Sequence, residues 1–157
     1  MSGSFPISAK APPLSLPWFK IMLLVLFSTV TLGCSRTEAD LTTSDVGEVA
    51  EISLTFAKAL SDRDYATAYS MTSEEFKSQY SLARLQEDFE AVVPTDWGTV
   101  GPIGVGEVMQ EWPARRTSDV AWVYVYIGGD VYSEGLSVIF TTENSVLRIR
   151  EVDFGRP

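Results

Sequence analysis

The hydrophobic period changes once along this chain, at Pro94, and that change constrains the fold more than any other feature. Before it, apolar residues fall at helical spacing. Across residues 45–60 they are Val46, Val49, Ile52, Phe56 and Leu60, one stripe of an amphipathic helix, with Ser44 or Asp45 as its expected N-cap. Ser61, Asp62, Arg63 and Asp64 interrupt the pattern, and a second short helix carries Tyr65, Ala68 and Tyr69. Thr72-Ser73-Glu74-Glu75 reads as a capping signature leading into Phe76 and Tyr80. A third helical segment runs from Ser81 through Leu82, Leu85, Phe89 and Val92 to Pro94, which cannot continue it. After Pro94 the period is that of strands. They are predicted at residues 105–112, 120–127, 131–142 and 146–154, with turns at Gly128-Gly129-Asp130 and Glu143-Asn144-Ser145. Residues 120–127 are apolar on both faces, which predicts a central strand covered on both sides. Helices first and an antiparallel meander second make the fold class α+β.

The sequence ahead of this pattern reads as targeting rather than fold. Residues 1–33 contain two basic residues, Lys10 and Lys20, and no acidic one. The uncharged stretch 21–33 is shorter than the ~20 residues a spanning helix needs. A weakly basic region, a short apolar core and a small residue at its end describe a secretory signal. A signal anchor reaching back through Leu16 and Trp18 is the alternative, and Pro17 and Lys20 interrupt it. The core ends Leu32-Gly33-Cys34, on the chain's one cysteine, with Thr31 where Leu or Val is usual. This ending resembles the lipobox of bacterial lipoproteins. The resemblance implies cleavage after Gly33, a diacylglyceryl thioether on Cys34, later palmitate-type acylation, and a cell-envelope location on the periplasmic or extracellular face of a bacterial membrane. The domain plan is then 1–33 signal peptide, 34–44 lipidated N-terminus and polar tether, and 45–157 a single α+β domain.

Charge and missing residue types narrow the chemistry. Twelve Lys and Arg less the two in the leader leave ten against 21 Asp and Glu, so residues 34–157 carry −11. Nucleic acid and anionic headgroups repel such a domain, so nucleic-acid binding is not expected and the membrane is met through the lipid on Cys34. Histidine is absent, and a lone cysteine makes neither an internal disulfide nor a cysteine zinc site. No metal or cofactor is expected. Gly98, Gly101, Gly104 and Gly106 form a glycine-rich stretch without the lysine and following helix of a phosphate loop, and read as a flexible connection.

The run Phe56-Ala57-Lys58-Ala59-Leu60-Ser61-Asp62-Arg63-Asp64-Tyr65-Ala66-Thr67-Ala68-Tyr69, followed by the Phe76 region and four strands, resembles the nuclear-transport-factor-2-like superfamily. That resemblance implies a cone: a curved antiparallel sheet wrapped around N-terminal helices, a pocket at the wide end, and a homodimer through the sheet. The superfamily contains isomerases, cyclases and binding-only members, so the fold leaves function open. For an isomerase- or cyclase-type enzyme, Glu134 is the weak catalytic candidate, because it alternates onto one face with Tyr132, Leu136, Val138 and Phe140, where burial raises a carboxyl pKa. Tyr69 and Tyr124 are the candidate donors, and Trp122 joins Tyr69, Tyr124 and Glu134 as candidate pocket lining. The plainer readings are Glu134 at a strand end and the aromatics as core or interface. Arg148 and Arg150 alternating with Glu151 and Asp153 read as an ion-pair face, and Arg115-Arg116 as a solvated loop. The function expected is a non-enzymatic binding or accessory module of the envelope, held to an unidentified protein or small-molecule ligand a tether's length from the lipid surface.

Overall fold

A computed structural model describes residues 43–96 and 98–156. Cys34 and the signal segment lie outside the described residues. The order is α1 (Thr43–Ser61), α2 (Tyr65–Ser70), α3 (Glu74–Gln79), α4 (Leu82–Val92), β1 (Val100–Met109), β2 (Asp119–Gly129), β3 (Ser133–Glu143) and β4 (Val146–Phe154). The class is α+β: four helices and one four-stranded antiparallel meander, ordered β1-β2-β3-β4 and not closed on itself. Among the described residues no helix is long and apolar enough to cross a membrane.

Capping divides the helical half into four pieces rather than three. Asp64, Ser73 and Ser81 each accept a hydrogen bond from the backbone N–H three residues on, those of Thr67, Phe76 and Arg84. Each such acceptor satisfies an N–H that the first helical turn leaves open. Thus Phe76 belongs to a six-residue helix of its own, with Tyr80 as its C-cap. α1 begins at Thr43, so Asp45 lies in its first turn, where a carboxylate favours the helix dipole, and is not the cap expected.

One face of the sheet packs against the helices. Ala121, Val123, Val125 and Ile127 of β2 and Leu136, Val138 and Phe140 of β3 are buried with Val49, Phe56, Leu60, Leu85 and Phe89. The other face of β2 shows Trp122, Tyr124 and Tyr126, with Tyr126 41% exposed, so β2 is not covered on both sides as its sequence predicts.

β1 departs most from expectation. It runs through the glycine-rich stretch that read as a connector, and its glycines are what let the aromatics lie flat. A Cβ on Gly104 would stand 2.1 Å from the Tyr126 hydroxyl oxygen, and one on Gly106 2.8 Å from the Tyr124 ring. From β3, Gly135 leaves the same room on the other side of Tyr124. Tyr124 therefore spans a trough between two glycines, stacked with Trp122 at 6.4 Å between ring centroids.

Two register shifts prepare the site. Between β2 and β3 the pairs Asp119↔Thr141 and Ala121↔Phe140 leave Val120 extra. Between β3 and β4, Phe140↔Ile149 and Ile139↔Glu151 leave Arg150 extra. A bulge bends its strand and re-aims a side chain. Ile149 also exchanges backbone hydrogen bonds with the segment before α3, donating to the Met71 carbonyl (3.2 Å) and accepting from Ser73 N–H (2.8 Å). That bridge fixes α3 beside β4.

Candidate functional site

A cleft of about 260 Å³ opens where α3, β4 and the β1–β2 loop meet, lined by Glu75, Phe76, Gln79, Tyr80, Arg116, Arg150, Glu151 and Val152. Its base is an ion pair. The Arg150 and Asp119 side chains are 4% and 0% exposed, with Nε 2.7 Å from Oδ1 and Nη2 3.1 Å from Oδ2. This two-point contact fits the planar guanidinium fork to a carboxylate. Oδ2 also accepts from the Arg116 backbone N–H at 2.8 Å, so Asp119 holds the loop as well as the arginine. Arg150 Nη1 donates to Glu151 at 2.7 Å. Burial works to lower the Arg150 pKa, but hydrogen bonds and charge from Asp119 and Glu151 outweigh it and leave it raised. Arg150 is thus a permanent cation whose charge is met by two carboxylates.

The mouth carries a second ion pair of different character. Arg116 Nη1 meets Glu75 Oε1 at 2.8 Å, with side chains 54% and 45% exposed. An exposed pair like this contributes at most about 1 kcal/mol, so it is easily exchanged. The aromatic wall is Phe76 and Tyr80, with ring centroids 4.8 Å apart. Tyr80 donates its hydroxyl to Asp88, which also accepts from Arg84 Nε at 2.8 Å. Burial first, then Asp88, pushes the Tyr80 pKa up to about 12, so the phenol stays neutral across the physiological range. Asp88 is lowered by the Tyr80 and Arg84 hydrogen bonds.

No protein-family model, curated protein or solved structure matches this chain.

The structure does not bring the residues singled out from sequence to one place. Glu134 is the second residue of β3, opposite Ile127 and half-buried, on the helix-facing side. Tyr124 and Trp122 lie on the other side of the sheet, so neither can meet Glu134 within a pocket. Tyr69 lies on α2 and donates its hydroxyl to the Tyr80 carbonyl at 2.9 Å, a structural bond that links α2 to the end of α3. Among the described residues, no group of three Cys, Asp or Glu side chains is placed to hold a metal ion.

Sequence reasoning passed over the cleft. In the sequence Arg116 reads as a solvated loop residue and Arg150 as one member of an ion-pair face, and strand alternation does not single out Asp119. One signal was present: an aspartate opening an apolar strand and an arginine inside another are both costly unless they meet.

Proposed function

We propose that this chain is a lipid-anchored protein of the bacterial cell envelope, held at Cys34, whose one domain is a non-enzymatic binding or accessory module. The observation that carries the module reading is how the cleft's polar groups are used. Arg150 is committed to Asp119 and Glu151, Arg116 to Glu75, and the Tyr80 hydroxyl to Asp88. A general base or acid must have its proton site open to a substrate, whereas paired charges suit recognition. The enzyme reading, with Glu134 as base and Tyr69 or Tyr124 as donor, is weakened by the separation of those residues.

The anchor reading rests on Leu32-Gly33-Cys34. Each buried methylene contributes ~0.8 kcal/mol, and two acyl chains hold a protein that one holds only marginally. The test is metabolic palmitate labelling of wild type and Cys34→Ala. Label in wild type alone is expected; equal labelling of both ends the proposal.

The finer fold reading is a nuclear-transport-factor-2-like cone, supported by helices that precede an antiparallel meander and pack on one face of it. Self-association then uses the opposite face, at Trp122, Tyr124 and Tyr126. Tyr126→Glu should convert a sedimenting dimer to a monomer. A wild-type chain already monomeric removes that surface from the account.

A further inference from the structure

We propose that the cleft between α3, β4 and the β1–β2 loop binds an organic cation bearing a guanidinium or primary ammonium group. Glu75 and Glu151 are its carboxylate partners, the Phe76 and Tyr80 rings its wall, and Arg116 an internal occupant that the ligand displaces. This deepens the binding-module reading, on which it rests, by naming the ligand class.

The sign of the ligand follows from what is already committed. Arg150 already meets two carboxylates, Asp119 through Nε and Nη2 and Glu151 through Nη1, so its single positive charge is more than compensated. An incoming anion would meet those two carboxylates as like charges. The carboxylates of Glu75 and Glu151 are each about half exposed, 45% and 51%. Each has lone pairs beyond the one that meets its arginine. Glu75 and Glu151 balance Arg116 and Arg150 in the lining, and the buried Asp119 against Arg150 makes the group net negative, more so once Arg116 swings out. The −11 domain draws cations toward it.

The chain itself shows what fits the mouth. Arg116, 41 residues from Glu75 in sequence, places a guanidinium on that carboxylate at 2.8 Å. Its 54% exposure makes departure to solvent cheap. Aromatic faces add attraction for a cation within about 6 Å of the ring. Size limits the ligand further. Drug-sized ligands occupy pockets of roughly 300–1,000 Å³. A cleft of about 260 Å³ instead admits one arginine- or lysine-sized group.

Titration calorimetry of the full chain in detergent, at fixed ionic strength, tests this with agmatine and with N-acetyl-arginine amide. Saturable one-to-one binding is expected. Tighter binding of agmatine assigns the site to free amines, and tighter binding of the blocked arginine assigns it to peptide side chains. Glu151→Gln and Glu75→Gln should each weaken binding about tenfold, the loss of one charge-assisted hydrogen bond. Arg116→Ala should strengthen it by up to about fivefold, because no internal ion pair then competes. Glu87→Gln, on the exposed side of α4, should change nothing. Matched melting curves confirm that each variant is folded. No saturable binding to wild type overturns the proposal. So do Glu75→Gln and Glu151→Gln variants that behave like Glu87→Gln, since attraction is then general to an acidic surface. Palmitate labelling that survives a failed titration leaves the anchor standing and removes only the cleft. Binding that survives failed labelling does the reverse.

Discussion

Asp119→Ala removes one carboxylate and leaves the Arg150 guanidinium, 4% exposed, without its two-point partner. Removing one member of a buried pair costs about 3–5 kcal/mol, because the remaining charge keeps its desolvation penalty and loses its compensation. Domains are stable by only about 5–15 kcal/mol in all, so this variant should lose a large part of its stability. Arg150→Met should cost a similar amount, since it strands Asp119, 0% exposed, with the Arg116 N–H still donating to its carboxylate. The double variant Asp119→Ala/Arg150→Met carries neither charge. Its principal remaining loss is the acceptor for that N–H, about 1–3 kcal/mol. It should therefore be more stable than either single variant, with a coupling energy of about 3 kcal/mol or more. Urea unfolding followed by tryptophan fluorescence measures all four proteins. Single-variant effects below about 1 kcal/mol, or effects that simply add, would refute the claim that this pair is the structural base of the cleft.

Three further outcomes follow from particular residues. Asn144 and Ser145 have φ of 51° and 64°, the left-handed pair of a tight hairpin, so Ser145→Gly should raise stability by up to about 1 kcal/mol, read as a higher melting temperature; a lower one contradicts the turn geometry. Gly135→Ala puts a Cβ 2.5 Å from the Tyr124 ring and should cost about 1–3 kcal/mol, most of it restored by adding Tyr124→Ala; a loss that persists in the double variant contradicts ring crowding. The raised Tyr80 pKa means the native state keeps a proton that the unfolded chain releases near pH 10. Its contribution to stability is therefore complete below that pH and is lost as pH rises through about 12, and Tyr80→Phe should flatten this part of the urea-stability profile.

Most of the architecture was legible because local chemistry and tertiary packing agree. β4 has the predicted bounds, α1 differs by a residue or two at each end, and the cap of α3 is Ser73, one residue after the Thr72 that opens the capping signature. β1 was misread because Gly101, Gly104 and Gly106 weaken any strand signal. Gly104 and Gly106 make room for the rings of Tyr126 and Tyr124 and Gly101 for the backbone of Gly128 on the next strand, which single-strand periodicity does not register. The cleft escaped for a related reason. Asp119, Arg150, Glu75 and Arg116 come from β2, β4, α3 and a loop, and two bulges aim them together. Alternation along one strand predicts faces only where the register is unbroken, and here the informative residue is the one that has no partner.

The central claim is attachment through Cys34, and the mass of the mature protein tests it most directly. Protein extracted from the membrane fraction of cells expressing the full sequence should have the mass of residues 34–157 plus a diacylglyceryl group, with or without a further acyl chain. Its N-terminal peptide should carry the lipid on Cys34. A chain retaining residues 1–33 with an unmodified Cys34 thiol, or one recovered entirely from the aqueous fraction, would contradict the account.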